Sequence, residues 1–183
     1  MSVIFLAGYP YAGKSFVIDL LIKTISDDLI VISPRDFMDK GLYDDLPENE
    51  KREMNIAAWE TSLDSLYDQI KANKNNQVII YDSACASYKK MFPYFVDAKS
   101  SGHCVIYVFV DADLSICKKR AGDKWLSSSV IDAYTMRFKE NVVRFAKLAN
   151  KFIKIKNNSN DTPDVSKLIQ VINNDDRISE STQ

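Results

Sequence analysis

The sequence predicts an α/β protein: a three-layer α/β/α sandwich around a mainly parallel, five-stranded sheet, with a short helical lid. Three observations predict it. Short β-branched runs alternate with stretches whose apolar residues recur at steps of three and four, the pattern of strands joined by crossover helices. A loop bounded by Gly8 and Gly13 stands between the first strand and the first helix. No linker or internal repeat divides the chain, so its 183 residues are expected to form one domain with a well-covered core.

The elements follow in order. Val3–Ala7 is a strand and Lys14–Ile25 a helix; Leu29–Ile32 is the second strand, stopped by Ser33-Pro34. A loop through Gly41 and Pro47 precedes a helix that carries Ile56, Trp59, Leu63, Leu66 and Ile70 on one stripe. Val78–Tyr81 is the third strand and ends at Asp82. A helix over Ser87–Lys99 leads to the fourth strand, Cys104–Val110. Leu114–Arg120 reads as a short helix running into Ala121–Lys124, and a lid is placed at about 114–127. A longer helix then presents Ile131, Tyr134, Phe138, Val142 and Phe145 on one face. Phe152–Ile155 is the last strand, and Thr162-Pro163 caps a closing helix to about Ile172. The domain is accordingly set at 1–172, and the polar stretch 173–183 is expected to fray.

Composition excludes several functions. With 46% hydrophobic and 27% charged residues the chain reads as an ordinary globular protein. No apolar run approaches the ~20 residues of a spanning helix, so no membrane partner is expected. The first residues carry no basic region followed by a long apolar segment, so no signal peptide is expected either. Cys85, Cys104 and Cys117 are odd in number and widely spaced, which suits reduced thiols in a cytoplasm. With no C-x-x-C pair and His103 as the single histidine, zinc sites and histidine triads are excluded. The net charge of −1 hides an asymmetry: Leu114–Lys156 carries eleven Lys/Arg against three Asp/Glu, a balance of +8, and the remainder sums to −9. Such a run is either a solvated helix face or a surface turned to phosphates.

The loop carries the chemistry. Gly8-Tyr9-Pro10-Tyr11-Ala12-Gly13-Lys14-Ser15 has the form G-x-x-x-x-G-K-S, set between a buried strand and the helix opened by Phe16. The two glycines let successive backbone N–H groups converge on an anion, and the helix N-terminus adds its partial positive charge. Lys14 can reach the β- and γ-phosphates, and the Ser15 hydroxyl can ligate Mg2+. The loop therefore predicts nucleoside triphosphate binding. The guanine signature N-K-x-D is missing, as is D-x-x-G, so a regulatory GTPase is excluded and ATP is the expected donor.

In a parallel sheet of this kind, ligands lie at the carboxyl ends of the strands. The second strand delivers Arg35 and Asp36 there, and the third delivers Asp82. Asp82 is a magnesium-shell acid, a substrate-positioning acid or a helix cap. Asp36 is either a carboxylate that orients an acceptor hydroxyl and takes its proton, or a turn residue in an acidic loop. Arg35 beside it would bind an acceptor phosphate or pair with neighbouring acids.

The blocks Arg35-Asp36, Val78–Ser83, Val108–Val110 with Cys117–Arg120, and Val130–Asp132 resemble, in order and spacing, the kinase domain of bacteriophage polynucleotide kinase from Ile4 to about Lys139. The chain thus looks like a polynucleotide-kinase-like P-loop kinase, a group that includes hydroxymethyluracil DNA kinases. The resemblance implies that Asp36 is the general base, that Asp82 holds the acceptor, and that Arg120 and the lid up to Lys124 hold the donor phosphates. Departures accompany it. Lys124 stands where the family has a second lid arginine, and Phe37-Met38-Asp39 replaces a further arginine for an acceptor phosphate. The family's phosphatase domain has no counterpart.

The expected function is an ATP- and Mg2+-dependent kinase that transfers the γ-phosphate to a nucleic acid hydroxyl, either a 5′ end or a hydroxymethylated base. The phage likeness would place it in a host cytoplasm. A nucleoside or nucleotide acceptor is the alternative, because Asp27–Glu53, with nine acids and four bases, is a poor surface for a long polyanion. A nucleotide-gated binding module without transfer is a third reading.

Overall fold

A computed structural model describes residues 2–25, 29–43, 45–72, 77–124, 126–158 and 162–180, with residues 40 and 175–180 as backbone alone. Five strands, β1 (Ser2–Gly8), β2 (Leu29–Ile32), β3 (Val78–Asp82), β4 (Cys104–Asp111) and β5 (Lys151–Lys156), form one sheet in the order β2-β3-β1-β4-β5. Every pairing between neighbours is parallel. Parallel strands need crossovers, and helices supply them: α1 (Lys14–Thr24), α2 (Lys40–Tyr43), α3 (Glu48–Ala72), α4 (Tyr88–Ser100), α5 (Leu114–Ala121), α6 (Ser128–Leu148) and α7 (Ser166–Glu180). The α/β/α fold is as expected, and its sheet is parallel throughout.

Alternation along each central strand makes the two faces of the sheet. Phe5, Tyr81, Tyr107 and Phe109 face one way, onto Leu63, Leu66 and Ile70 of α3, Met91 and Phe95 of α4, and Phe138 and Phe145 of α6. Ile4, Leu6, Ile80, Val108 and Val110 face the other, onto Val17 and Leu21 of α1, Cys117 of α5, and Leu168 and Ile172 of α7. The first face is aromatic: Phe95 stacks on Phe5 at 3.9 Å between ring centroids and lies 5.1 Å from Phe145. Each such pair contributes roughly 0.5–1.5 kcal/mol beyond its buried area. His103 precedes β4 and ties the layers: its Nε2 donates to the Ile70 carbonyl of α3 at 2.9 Å.

At the sheet edge, β5 buries Ile153 and Ile155 and exposes Lys151, Phe152, Lys154 and Lys156. Lys154 pairs with Asp111 of β4 at 2.8 Å.

Three local expectations differ. The segment after β2 is a 3₁₀ turn, Pro34–Phe37, followed by α2 rather than an open loop. The closing helix begins at Ser166, where the Asp164 carboxylate accepts the Ser166 N–H at 2.9 Å, so Thr162-Pro163 does not cap it. It also continues past Ile172 to Glu180. Beyond Ile172 the sequence has no apolar stripe, so periodicity carried no helical signal there. Trp125, within the lid placed at 114–127, and residues 181–183 of the tail lie outside the described residues. Among the described residues no helix is long and apolar enough to cross a membrane.

Candidate functional site

Strand register brings the site to one edge. Leu6 of β1 lies opposite Asp82 of β3, Ile32 of β2 opposite Tyr81, and Gly8 opposite Val110 of β4. The loop after Gly8, the turn after Ile32 and the end of β3 therefore converge at the carboxyl end of the sheet.

Backbone conformation explains the loop's composition. Gly8 has φ +149°, and a Cβ there would sit 2.6 Å from the Val110 carbonyl oxygen. Gly13 has φ +93° and a Cβ there would run into Asn157 Nδ2. Between them Tyr11 adopts φ +64°, a left-handed conformation that a side-chain-bearing residue holds only at a strain. The Ala12 N–H donates to the Tyr9 carbonyl at 3.1 Å and closes the loop. Gly13 precedes the first turn of α1 without a side-chain cap, which leaves the N–H groups of that turn for an anion. Ser15 and Phe16 are exposed on that turn, while Pro10 is half-buried.

The loop is also tied outward by its two tyrosines. Tyr9 donates to Thr135 Oγ1 of α6 at 3.1 Å, and its ring meets Phe138 edge-on at 4.9 Å. Tyr11 donates to the Lys124 carbonyl at 3.1 Å.

Lys14 folds back over the loop, its Nζ donating to the Gly8 and Tyr9 carbonyls at 3.1 Å each. Burial holds its pKa below the ordinary lysine value, and the Asp82 charge opposes that shift. Asp82 is shifted the other way. Burial raises its pKa, the Lys14 and Arg35 charges pull it down, and Asp36 pushes it up. Lys14 and Asp82 thus act on each other through their charges, and Arg35 acts on both.

Asp82 Oδ1 is buried and has no hydrogen-bond partner among the described residues. A hard, unpartnered oxygen beside the phosphate loop fits Mg2+, and the Ser15 hydroxyl is a second donor of the right kind. The site therefore suits the metal that a bound triphosphate carries.

Asp36 has a structural duty as well. Its Oδ2 accepts the Ser33 N–H at 3.0 Å while Ser33 Oγ accepts the Arg35 N–H at 3.4 Å, a reciprocal cap on the 3₁₀ turn. Arg35 and Asp36 are both exposed.

Arg120 of α5 ties the loop to the end of β5. Arg120 Nη1 donates to the Ala12 carbonyl at 3.3 Å, and Nη2 donates to the carbonyl and the Oδ1 of Asn157 at 3.1 and 3.2 Å. The Lys124 side chain is exposed. Asn157 belongs to no motif in the sequence. It directly follows β5, at the same carboxyl edge that marked Asp36 and Asp82, and that position was the available signal.

A family model described as chromatin associated protein KTI12 matches residues 1–183. No curated protein matches the sequence. Among solved structures, a protein of Chloroflexus aurantiacus assigned as a kinase is similar over 96% of both chains, at 13% identity and a TM-score of 0.63. Kti12 of Chaetomium thermophilum, in complex with ADP-AlF3, is similar over 97% of both chains at 15% identity and a TM-score of 0.57. A chain of the PezAT chromosomal toxin-antitoxin system of Streptococcus pneumoniae is similar over 85% of this chain and 68% of its own, at 10% identity and a TM-score of 0.64. These likenesses establish a P-loop kinase-like fold. They do not support the narrower resemblance to bacteriophage polynucleotide kinase, because the loop and strand-end residues behind it are common to a far wider set of folds.

Proposed function

The chain belongs to the KTI12 family, and from that premise we propose that it binds ATP with Mg2+ on residues 8–15 and cleaves off the γ-phosphate. One observation carries this reading: the Lys14 ammonium and the partnerless Asp82 oxygen are held together at the end of the sheet, each shifted toward its neutral form by burial. Burial works against the charge on each, and their mutual attraction offsets it only in part. A triphosphate and its metal would add counter-charge to each beyond what the two give one another. The ADP-AlF3 bound to the Chaetomium Kti12 supports the same reading, since trigonal AlF3 stands in for a phosphoryl group in transit.

Roles follow from position. The loop amides and the N-terminus of α1 would hold the β- and γ-phosphates, and Lys14 would leave the Gly8 and Tyr9 carbonyls to reach them. Mg2+, held through Ser15 and Asp82, would neutralise charge on the phosphate oxygens. Arg120 would add charge from the lid, and Lys124 a weaker, single-point contact. Asp36, with Arg35 beside it, would orient the attacking oxygen through Oδ1 while Oδ2 keeps its turn.

Two readings of that attacking oxygen stand. Water makes the chain an ATPase whose nucleotide state gates binding to a partner; the capping duty of Asp36 and the absence of an arginine at Phe37–Asp39 favour it. A hydroxyl of a nucleic acid, nucleoside or nucleotide makes it a kinase, which the exposed Arg35–Asp36 pair favours. Incubation with γ-labelled ATP, alone and with oligonucleotides, hydroxymethylated DNA, nucleosides and monophosphates, separates them. Label released as inorganic phosphate supports the ATPase, and label on an acceptor supports the kinase. ATP bound without loss of label from any mixture would overturn both.

A further inference from the structure

We propose that Asn157 is a positioning residue for the phosphate loop, and that it couples the loop to the lid arginine. It lies 145 positions beyond Ala12 in sequence, yet its Nδ2 donates to the Ala12 carbonyl at 2.8 Å. Its Oδ1 and its backbone carbonyl both accept from Arg120 Nη2. Its backbone N–H donates to the Asp111 carbonyl of β4 at 2.9 Å, which anchors it to the sheet rather than to a mobile side chain. At 5% exposure the side chain has little access to water in place of these partners.

The geometry gives that contact a purpose. The Ala12 carbonyl accepts from Asn157 and Arg120 together, so it is held toward β5 and α5. An anion between the loop amides requires that no carbonyl turn inward, because a carbonyl oxygen facing a phosphate is repelled. Fixing the carbonyl of Ala12 fixes the peptide plane that it shares with Gly13 N–H. Gly13 then has to lack a Cβ, since the Asn157 amide occupies the space that one would fill. The Arg120 contacts extend the same fixture to α5. Asn157 thus sets the loop and places the arginine at its rim.

The inference rests on the nucleotide-binding reading for its purpose but not for its test. Asn157→Ala and Asn157→Asp are compared with the wild-type chain by peptide-level hydrogen exchange without nucleotide, and by titration with Mg-ATP. Asn157→Asp keeps an acceptor for Arg120 but offers no amide to Ala12, and Asn157→Ala offers neither, so both variants are expected to loosen the loop. Exchange of the Ala12 amide, bonded to the Tyr9 carbonyl and read in a peptide spanning residues 8–16, should accelerate about tenfold or more while β4, residues 104–111, stays as protected as in the wild type. ATP affinity should fall about tenfold or more. If β4 also loses protection in Asn157→Ala, the residue is a general prop of the fold and the proposal fails. Unchanged exchange in residues 8–16 in both variants overturns it as well, whatever ATP does. A wild-type chain that binds no ATP, with exchange in 8–16 accelerated as expected, would overturn the nucleotide reading and leave the positioning role standing.

Discussion

Asp36 Oδ2 accepts the Ser33 N–H at 3.0 Å, so the carboxylate proposed to orient the attacking oxygen also closes the turn that carries it. A group with both duties is held in place by the first while it performs the second. Asp36→Asn keeps an acceptor for Ser33 but cannot take a proton. ATP binding should persist while γ-phosphate loss falls by roughly 10²–10⁴-fold, the usual share of a general base. Asp36→Ala should in addition lower stability by about 0.5–2 kcal/mol through loss of the cap. Single-turnover transfer and thermal melting read the two effects separately, and wild-type turnover in Asp36→Asn would move the orienting role elsewhere.

Lys14→Ala should cut γ-phosphate loss by about 10²–10³-fold or more, the cost of one lost electrostatic donor at a reacting centre. The ligand-free protein should still fold, because the loop closes through the Ala12 N–H bond to the Tyr9 carbonyl and needs no lysine for that. Turnover near the wild-type rate would refute the phosphate-loop assignment.

Asp82→Asn should separate function from stability. Its carboxylate is buried, and the Lys14 and Arg35 charges offset the cost of ionisation there only in part. The ligand-free variant should therefore melt higher than the wild type at neutral pH and need more Mg2+ for turnover. The sign of its pH dependence follows from linkage. The folded carboxyl titrates above its usual 3.8, so the unfolded chain loses its proton first as pH rises. The penalty grows from pH ~4 upward and is complete above the folded value, so the gain in Tm should shrink toward pH ~4. A Tm gain of the same size at every pH would mean that ionisation is not its source.

Arg120→Ala should slow γ-phosphate loss by about 10²-fold or more, and Arg120→Lys should not restore it. Nη1 and Nη2 reach different acceptors, which one ammonium cannot do. Lys124→Arg should be tolerated, since that side chain is exposed. Steady-state ATP turnover checks all three. Full activity in Arg120→Lys would reduce the contribution of Arg120 to a point charge.

Gly8→Ala should destabilise the fold, because the new methyl meets the Val110 carbonyl within β-sheet pairing and the backbone sits at φ +149°. Strain of this kind costs on the order of 1–3 kcal/mol. The melting temperature should drop by roughly 2–4 °C for each kcal/mol.

The sheet was legible because its signal is local. β1, β3 and β4 are short β-branched runs buried on both faces, and each stops at a residue that ends strands. The form of the phosphate loop was legible for the same reason, since Gly8 to Ser15 is one contiguous segment. What escaped depends on contacts between distant positions. Asn157 meets Ala12 only because β5 lies beside β4, and Thr135 meets Tyr9 only because α6 crosses that face. The cap on Asp36 was half visible: Ser33 and Asp36 have capping-box spacing, but the sequence had assigned that segment to a loop. The narrow family resemblance went astray because Arg35, Asp36 and Asp82 sit where many parallel sheets place charged groups at strand ends.

The edge strand β5 has a consequence for crowded solution. A second copy adding in register along Lys151–Lys156 would set lysine against lysine, at positions whose side chains point to water. The same segment also carries Phe152, Ile153 and Ile155, enough β-forming residues to template a fibril if the cations were removed. Its lysines are therefore placed where charge opposes edge-to-edge pairing. A Lys154→Val chain, which also loses the Asp111 pairing, should aggregate at concentrations where the natural sequence scatters no light.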